Sequence, residues 1–491
     1  MLIFPPITHL RMYDKICCLP MGIAYLGAVL RDRYDVRLLD AVVEGYHLER
    51  DITPSIIQYG LDTDMIMEQV RDFAPDVVGI SCLFSNQFPV VAELAKKVKD
   101  WNSEVVTVTG GTHPTFLPER CLSEEALDYI VMGEAEESLL KLLKALENGS
   151  GIKEIDGLAF RTEDHQMIHP QTAWIENLDS LPFPARDLLP LQKYFDINVP
   201  FNFFSKSPRN ISFISSRGCP FRCSFCSSSI YWGRRYRTRS PENVLAELEQ
   251  LKTTYNIKEV KFEDDNLTLD TNRAKTIFRG MIDRKLNLFW NMPNGAMVKT
   301  LADKELLRLM KQSGCYEVIL AFESGDQWVL DNIVKKPIDL EAARGIVRSI
   351  QKVGIDTHAF FIIGFPGEKL AQIKNTFAYA QSLDLDKIIV FFFSPLPGAS
   401  LYKECLERGL ISDESQTEKN HFLISSLSDQ DWTPEILRKI MWREYWRFTL
   451  RLLFRKPGKF FGKYVWFRVT RRDRLKSLYH WSVAMVSRLS K

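Results

Sequence analysis

Three cysteines stand within eight consecutive residues, in the segment SSRGCPFRCSFCSSS at 215–229. They are Cys219, Cys223 and Cys226, and their spacing is C-x3-C-x2-C. A structural zinc ion takes four ligands, and a cubane iron–sulfur cluster is normally held by four thiolates. Three thiolates would leave one iron of such a cluster open, so a small molecule could bind that iron and exchange electrons with it. A zinc site is the alternative, with His358 or Cys315 as a distant fourth ligand.

The chain around these cysteines must place them on a loop that a ligand can reach. From residue 211 to about 400, six runs that favour strands alternate with helical patterns, and the cysteines follow the first run, NISFISS. This alternation predicts a partial or complete (β/α) barrel, whose chemistry lies on the loops after the strands. Residues 1–150 alternate in the same way, for example in PDVVGISC and EVVTVTGG. They predict a doubly wound parallel sheet that binds ligands at the carboxyl ends of its strands.

The length of 491 residues corresponds to roughly three domains of about 150 residues each. We predict a sheet domain at 1–150, a proline-rich connector with a hairpin at 151–205, the barrel at 206–410 and a helical region at 411–491. No signal peptide and no membrane-spanning stretch is expected. The nine cysteines favour a reducing cytoplasm, where cysteine serves metal binding or catalysis.

The cysteine spacing, with Phe225 just before the last cysteine, resembles that of the radical S-adenosylmethionine (SAM) superfamily. In that family SAM binds the open iron of a 4Fe–4S cluster, and an electron from the reduced cluster cleaves SAM to a 5′-deoxyadenosyl radical. The resemblance implies that Cys219, Cys223 and Cys226 hold the cluster, that SAM is a cofactor, and that the protein needs an electron donor such as flavodoxin or ferredoxin.

Further motifs of this superfamily stand at the predicted strand ends. FEDDNLT resembles its acidic pair, although a helix N-cap would give the same pattern; LAFESGD resembles its ES pair; and FFIIGFPGE resembles its adenine-binding motif. The last departs from the usual pattern because Phe360 occupies the position of the first glycine. No catalytic residue is identified. The cofactor contacts implied by the resemblance are Phe225, Asp264, Asp265, Glu323, Ser324, Ile362, Gly364 and Glu368.

The N-terminal series LPMGIAYLGAVL, PDVVGIS, VTGGTHPTFLPE and DYIVMGEAEESL resembles the cobalamin-binding domain that precedes the barrel in cobalamin-dependent radical SAM enzymes. The resemblance implies corrin contacts from Thr109, Gly110, Gly111 and Thr112. The D-x-H-x-x-G motif that supplies a histidine to cobalt in mutases is missing from the sequence. We therefore expect base-off cobalamin without a protein histidine ligand, and His113 is not expected to bind cobalt.

The resemblance implies a cobalamin-dependent radical SAM enzyme, and we expect a C-methyltransferase that acts on an unactivated carbon of a hydrophobic, lipid-like or isoprenoid-like substrate. An oxidative cyclase or other radical rearrangement enzyme of the superfamily is the nearest alternative. A methylthiotransferase is less favoured, because its second cluster would have to use the poorly spaced Cys17, Cys18 and Cys82. A non-enzymatic cobalamin sensor or scaffold is the alternative of another class.

The C-terminal segment 438–491 is strongly basic, with 16 Lys and Arg against two acidic residues. Arg443, Arg447, Arg451 and Arg455 recur every four residues, which predicts a cationic stripe on a helix. Interspersed aromatic residues suggest a peripheral contact with the inner face of a membrane, by a cytoplasmic enzyme. A helical cap on the barrel is the alternative, and binding of nucleic acid is the least favoured.

Overall fold

The computed structural model describes residues 1–11, 13–200, 204–419 and 427–461. The N-terminal part contains a seven-stranded sheet in the order β10-β9-β8-β7-β6-β1-β3 and a small sheet in the order β2-β5-β4. The strands are β1 Leu2–Phe4, β2 Ile7–Leu10, β3 Leu38–Asp40, β4 Glu49–Thr53, β5 Ile56–Tyr59, β6 Val77–Ser81, β7 Val106–Gly110, β8 Tyr129–Val131, β9 Leu158–Arg161 and β10 Gln166–His169.

Helices cover both faces of the seven-stranded sheet. Apolar residues of one face, such as Ile3 and Ile80, pack against helices Thr63–Phe73 and Phe88–Trp101. Residues of the other face belong to a second core, with helices Met21–Leu30 and Ala135–Asn148. The remaining helices here are Ala41–Glu44, Thr112–Phe116, Pro118–Leu122 and Leu191–Ile197. The predicted doubly wound arrangement is confirmed.

The hairpin predicted within the connector belongs to the first sheet. Strands β9 and β10 pair antiparallel with each other, and β9 pairs antiparallel with β8. The sheet therefore continues past residue 150, and the chain leaves it only after His169. The core strands β1, β3, β6, β7 and β8 are parallel, so their carboxyl ends meet at one edge.

The second half forms an open parallel barrel in the order β11-β14-β15-β16-β17-β18, and each of its six strands corresponds to a predicted run. Strands β12 and β13 form a separate two-stranded ladder beside it. The strands are β11 Asn210–Phe213, β12 Ser216–Arg217, β13 Arg237–Thr238, β14 Glu259–Phe262, β15 Phe289–Ala296, β16 Cys315–Glu323, β17 Asp356–Ile363 and β18 Lys387–Phe392.

Amphipathic helices follow the barrel strands and pack on their outer face. The helix after β13 begins at Pro241, which suits a first helical turn, behind the N-cap Ser240. The helices are Ser228–Tyr231, Pro241–Tyr255, Thr271–Asp283, Lys304–Gln312, Gln327–Val329, Leu340–Lys352, Leu370–Ser382 and Ser400–Glu407. Phe322 and Phe361 face this outer layer, with their rings stacked 5.8 Å apart.

The helix Pro434–Arg455 packs against the barrel and is followed by the short helix Pro457–Lys459. Its buried face carries Leu437, Met441 and Phe448. Residues 462–491, which hold much of the predicted basic tail, lie outside the described residues. In the described part of the chain, every helix is too short or too polar to cross a bilayer.

Candidate cofactor sites

The three cysteines lie on a loop between β12 and helix Ser228–Tyr231, at the carboxyl end of the barrel. All three side chains are partly exposed. Burial of the loop raises the pKa of Cys223 to about 12 and that of Cys226 to about 11. These thiols stay protonated at neutral pH until a metal displaces the proton. Three thiols on a reachable loop are the donor set that such a cluster needs, although among the described residues no three His, Cys, Asp or Glu side chains are already drawn together as a metal site.

Asp265 holds the two ends of the cysteine loop together. Its carboxylate accepts a hydrogen bond from the backbone N–H of Gly218 (3.1 Å) and another from the hydroxyl of Ser228 (2.6 Å). These donors stand immediately before Cys219 and two residues after Cys226. The predicted cofactor contact of Asp265 thus has a definite local role, which is to fix the loop that carries the thiols.

Asp264 anchors the chain that leads into the loop. It accepts hydrogen bonds from the hydroxyls of Ser215 (2.7 Å) and Ser216 (2.5 Å). It is 3% exposed, and burial raises the pKa of this carboxyl. The N-cap interpretation of this acidic segment is wrong, because Asp270 caps the next helix.

Segments from elsewhere in the barrel hold the middle of the cysteine loop. Ser224 donates from its backbone N–H to the carbonyl of Val334 (2.9 Å) and from its hydroxyl to that of Ile333 (2.6 Å). Its own carbonyl accepts from the N–H of Leu401 (2.9 Å). The Phe225 ring lies 6.1 Å from that of Phe365. The adenine-motif segment therefore packs beside the last cysteine.

Glu323 ends β16 with a left-handed backbone, at φ +66°, which is costly for a residue other than glycine. Its carboxylate accepts a hydrogen bond from the ammonium of Lys336 at 2.7 Å, and both side chains are buried. Burial alone would lower the pKa of Lys336, but the adjacent carboxylate of Glu323 raises it. The sequence interpretation missed this lysine, which places a positive charge near the thiols.

Ser324 and Glu368 are committed to local contacts. The hydroxyl of Ser324 pairs with that of Thr376 (3.1 Å) and accepts the N–H of Asp326 (3.1 Å). Glu368 accepts the backbone N–H groups of Gly364 (2.7 Å) and Phe365 (3.1 Å). The two hydrogen bonds to Glu368 close the turn after β17. Burial raises the pKa of Glu368 to about 8.

Gly364 has a left-handed backbone, at φ +82°, and packs under the C-terminal helix. A Cβ at this position would lie 2.6 Å from Cδ1 of Leu437. The indole of Trp432 donates to the carbonyl of Glu368 at 2.8 Å. The C-terminal region therefore braces the turn that resembles the adenine-binding motif.

The lumen wall along β17 and β18 is apolar. Phe360, Ile362, Ile389 and Phe391 alternate with fully buried neighbours and are only half-buried, so they face the inside of the barrel. The rings of Phe360 and Phe391 lie 5.6 Å apart. Phe360, which departs from the motif, therefore contributes an aromatic wall where the family pattern has a glycine.

The alternative fourth ligands of a zinc site lie away from the cysteine loop. Cys315 is the first residue of β16, which puts it about 26 Å from the carboxyl end of that strand at roughly 3.3 Å per residue. His358 lies early in β17, with Nε2 at 3.4 Å from the carboxylate of Glu317. Neither position serves a site at the opposite end of the barrel.

At the carboxyl edge of the first sheet, the predicted corrin residues form the end of β7 and the turn after it. The hydroxyl of Thr109 donates to the carbonyl of Ile80 (2.9 Å) and is buried. Gly111 has φ +127°, and a Cβ there would overlap the carbonyl oxygen of Cys82. This glycine is required by the protein backbone itself. Gly110 and Thr112 flank it and are partly exposed.

His113 points into the protein. Its Nδ1 lies 2.9 Å from the hydroxyl of Ser85, and its ring packs 4.8 Å from that of Phe88. Burial lowers its pKa to about 4. This orientation agrees with the expectation that His113 does not bind cobalt.

The loop after β6 carries two exposed apolar residues that the sequence interpretation did not single out. Leu83 and Phe84 are 40% and 45% exposed, next to the turn at Gly111. The sequence signal for them is the segment CLFSNQ, in which two large apolar residues directly follow a buried strand. An open turn with exposed apolar neighbours fits a broad, flat ligand such as a corrin.

The cysteines that a methylthiotransferase would need are separated by the first sheet. Cys17 packs in the core on one face, and Cys82 packs in the core on the other. They cannot share a cluster in this fold.

Two family models match the chain. The B12 binding domain matches residues 15–143, and the Radical SAM superfamily matches residues 213–380. The prediction of cobalamin, a 4Fe–4S cluster and SAM as cofactors is confirmed at the level of these domains.

Several curated proteins are similar over most of the chain. The cytidylyl-2-hydroxyethylphosphonate methyltransferase of Streptomyces wedmorensis is 33% identical, over 84% of this chain and 83% of its own. The anaerobic magnesium-protoporphyrin IX monomethyl ester cyclase of Rubrivivax gelatinosus is 28% identical, over 89% of this chain and 74% of its own. The hopanoid C-3 methylase of Methylococcus capsulatus is 28% identical, over 66% of this chain and 58% of its own.

Among solved structures, the radical SAM methyltransferase TsrM of Kitasatospora setae, with cobalamin and a [4Fe–4S] cluster bound, has the same fold. Its TM-score is 0.66 at 19% identity, over 83% of this chain and 77% of that one. With the domain matches and the relative at 33% identity, this chain belongs to the cobalamin-dependent radical SAM methyltransferase family.

Proposed function

We propose that this enzyme transfers a methyl group to an unactivated carbon of a substrate whose reacting part is hydrophobic. When bound, the cluster and SAM supply a radical that removes hydrogen from carbon, and cobalamin supplies the methyl group. The protein binds and orients the substrate and excludes water. The observation that carries the proposal is the apolar lumen wall of Phe360, Ile389 and Phe391, which lies below the cysteine loop.

The half-buried aromatic pair Phe360 and Phe391 would contact an apolar substrate skeleton without competing for hydrogen bonds. A lipid-like or isoprenoid-like substrate suits this wall, and the similarity to a hopanoid methylase supports that choice. The cysteine loop faces the same mouth, so a one-electron donor such as flavodoxin or ferredoxin would approach from this end.

The test uses reconstituted holoenzyme with SAM that carries a deuterated methyl group, a reductant and an extract of candidate lipids. We expect 5′-deoxyadenosine together with a product that is heavier by one labelled methyl group. A Phe391→Ser variant should lower product formation, and the matched change Phe289→Ser, on an exposed ring at the start of β15, should not. Deoxyadenosine without any labelled product from lipid or polar pools would contradict methyl transfer.

Oxidative cyclisation is the second candidate, because the similarity to the protoporphyrin ester cyclase spans 89% of this chain. The same labelled experiment separates the two reactions. A product that has lost hydrogen and carries no labelled methyl group would favour the cyclase.

We also propose a peripheral membrane contact through the exposed face of helix Pro434–Arg455. Leu450 is 48% exposed and Phe454 is 82% exposed. The arginine stripe is less available than the sequence suggested, because Arg443 and Arg447 pair with Glu444 and Arg451 donates to the carbonyl of Gln381. The apolar pair, with the basic residues that follow in the sequence, therefore supports insertion at a lipid headgroup layer.

The membrane test is cosedimentation of the full chain with vesicles of phosphatidylglycerol or of phosphatidylcholine, at low and high salt. We expect binding to the anionic vesicles at low salt and weaker binding by Phe454→Ser. Trp328→Ser, on an exposed ring elsewhere in the barrel (53%), is the matched control. Protein that stays in the supernatant with anionic vesicles at low salt would refute the contact.

A further inference from the structure

A cluster of four buried charged side chains joins the two halves of the molecule. Arg217 donates to Glu134 at 2.7 Å and to Glu136 at 2.5 Å. Arg237 donates to the other oxygen of Glu134 at 2.6 Å. All four side chains are less than 10% exposed. The glutamates belong to the first sheet domain and the arginines to the β12–β13 ladder, so the cluster crosses the domain boundary.

Both sides of this cluster stand next to a candidate cofactor site. Arg217 precedes Cys219 by two residues, and Gly218 between them is held by Asp265. Glu134 and Glu136 follow β8, whose end lies beside Gly110 in the sheet. These ion pairs therefore connect the corrin edge to the cysteine loop directly.

Aromatic and backbone contacts reinforce the same junction. The guanidinium of Arg217 lies 5.2 Å from the ring of Tyr25, in the first domain, and 5.5 Å from that of Trp232, in the barrel. The hydroxyl of Tyr231 donates to the carbonyl of Gly133 at 2.8 Å. The junction therefore combines ion pairs, ring contacts and a hydrogen bond from the barrel half to a backbone carbonyl of the first domain.

We propose that Arg217 is a positioning residue, which sets the distance and orientation of the corrin edge relative to the cysteine loop. Charges are costly to bury unless they are paired with good geometry, so the domains cannot slide past each other without leaving a carboxylate or a guanidinium unpaired. The planar guanidinium bridges two carboxylates with separate arms, and an ammonium cannot reproduce that geometry. The inference rests on the proposed function, in which a cobalamin held by the first domain would supply a methyl group to a substrate held by the barrel, so the separation of the two domains would have to be fixed.

The test measures the separation directly. Full-length protein is loaded with cob(II)alamin and a reduced cluster, and the magnetic coupling between these two paramagnetic centres is recorded by pulsed electron paramagnetic resonance. We expect a narrow distance distribution in the natural protein and a broadened, shifted one in Arg217→Lys, which keeps the charge. Glu259→Gln removes a buried partner of Lys261 inside the barrel and should leave the distribution unchanged.

A second measurement needs no cofactor. Calorimetry of the full chain should give a single unfolding transition for the natural protein and two separated transitions for Arg217→Lys and Glu136→Gln. Glu259→Gln should lower the temperature of the unfolding transition without splitting it into two. Variants at Arg217 and Glu136 that keep a single transition and the natural distance distribution would overturn the proposal, whatever their enzymatic activity.

Discussion

Both sheets present the carboxyl ends of parallel strands at one edge, but different kinds of residue shape the two edges. At the edge of the first sheet, Gly111 lies against the backbone of Cys82, and the apolar Leu83 and Phe84 remain exposed. At the edge of the barrel, the buried carboxylates Asp264 and Asp265 hold the cysteine loop by hydrogen bonds. Open apolar space suits a broad flat ligand, whereas thiolate ligands need a loop that is fixed at both ends.

Loss of a thiol should have the largest effect of the changes considered, and it should affect cofactor binding only at the edge of the barrel. Cys223→Ala should abolish cluster binding and 5′-deoxyadenosine formation, because no other thiol lies on the loop besides Cys219 and Cys226. Cobalamin binding should remain. Iron analysis, absorbance and product chromatography measure these effects. The control is Cys405→Ala, at a buried cysteine in an outer helix. A variant with a full cluster would refute the assignment.

Gly111→Ala should damage the first edge through its backbone. The conformation at φ +127° is open essentially to glycine alone and costs other residues about 1–3 kcal/mol, to which the overlap with Cys82 adds. We expect a lower thermal midpoint even without cobalamin. Gly22→Ala, in a helix with open space around it, should be neutral or stabilising. A variant of natural stability that fails to bind cobalamin would instead make Gly111 a direct corrin contact.

Removal of the Asp265 carboxylate, which joins the two ends of the cysteine loop, should weaken cluster binding at the barrel edge. Asp265→Asn removes the charge that both donors share: Gly218 N–H keeps only a neutral amide oxygen, and the Ser228 hydroxyl, facing the amide nitrogen, can no longer donate to this residue. A lost hydrogen bond to a charged group costs about 1.5–3 kcal/mol, which corresponds to at least tenfold faster loss of the cluster. The rate of iron release to a chelator measures it. The exposed Asp283→Asn is the control, and equal rates for both variants would contradict the clamp.

At the corrin edge, Phe84→Ala should lower cobalamin affinity without affecting the cluster. Burying an aromatic side chain contributes roughly 1.5–3 kcal/mol, so we expect about a tenfold weaker complex by equilibrium dialysis. Phe289→Ala changes a ring of similar exposure, 43% against 45%, far from this edge. Unchanged affinity in Phe84→Ala would remove the loop after β6 from the site.

The smallest effect concerns the turn after β17 and its dependence on pH. Burial raises the pKa of Glu368 from its ordinary 4.5 to about 8, so folding favours the protonated carboxyl. Its stabilising contribution is complete below about pH 4.5 and is lost as the pH rises to 8. Glu368→Gln should therefore flatten the fall in thermal midpoint between about pH 4.5 and 8, relative to the exposed control Glu341→Gln. If the thermal midpoints of the two variants fall in parallel as the pH rises, Glu368 does not hold a proton in the folded protein.

Each strand of the barrel sheet matches a strand pattern in the sequence, and the helix Pro241–Tyr255 begins at a proline, which is a local start signal. Strand and helix periods, proline and capping residues are local signals, and the barrel strands are long and regular. The first sheet extends past residue 150, because β9 pairs with β8 and β10 pairs with β9. Pairing between strands depends on partners distant in sequence, which no local pattern records.

The sequence by itself determined which atoms could hold a cluster, because three thiols within eight residues carry their chemistry wherever the loop lies. It also determined the order of the domains. The tertiary structure alone decided what the surrounding charges do: Asp265 closes the cysteine loop, Lys336 reaches Glu323, and Arg217 reaches Glu134. These pairs are 13 to 83 residues apart in the chain. They meet only because parallel strands bring their carboxyl ends to one edge and because the two sheets are joined there.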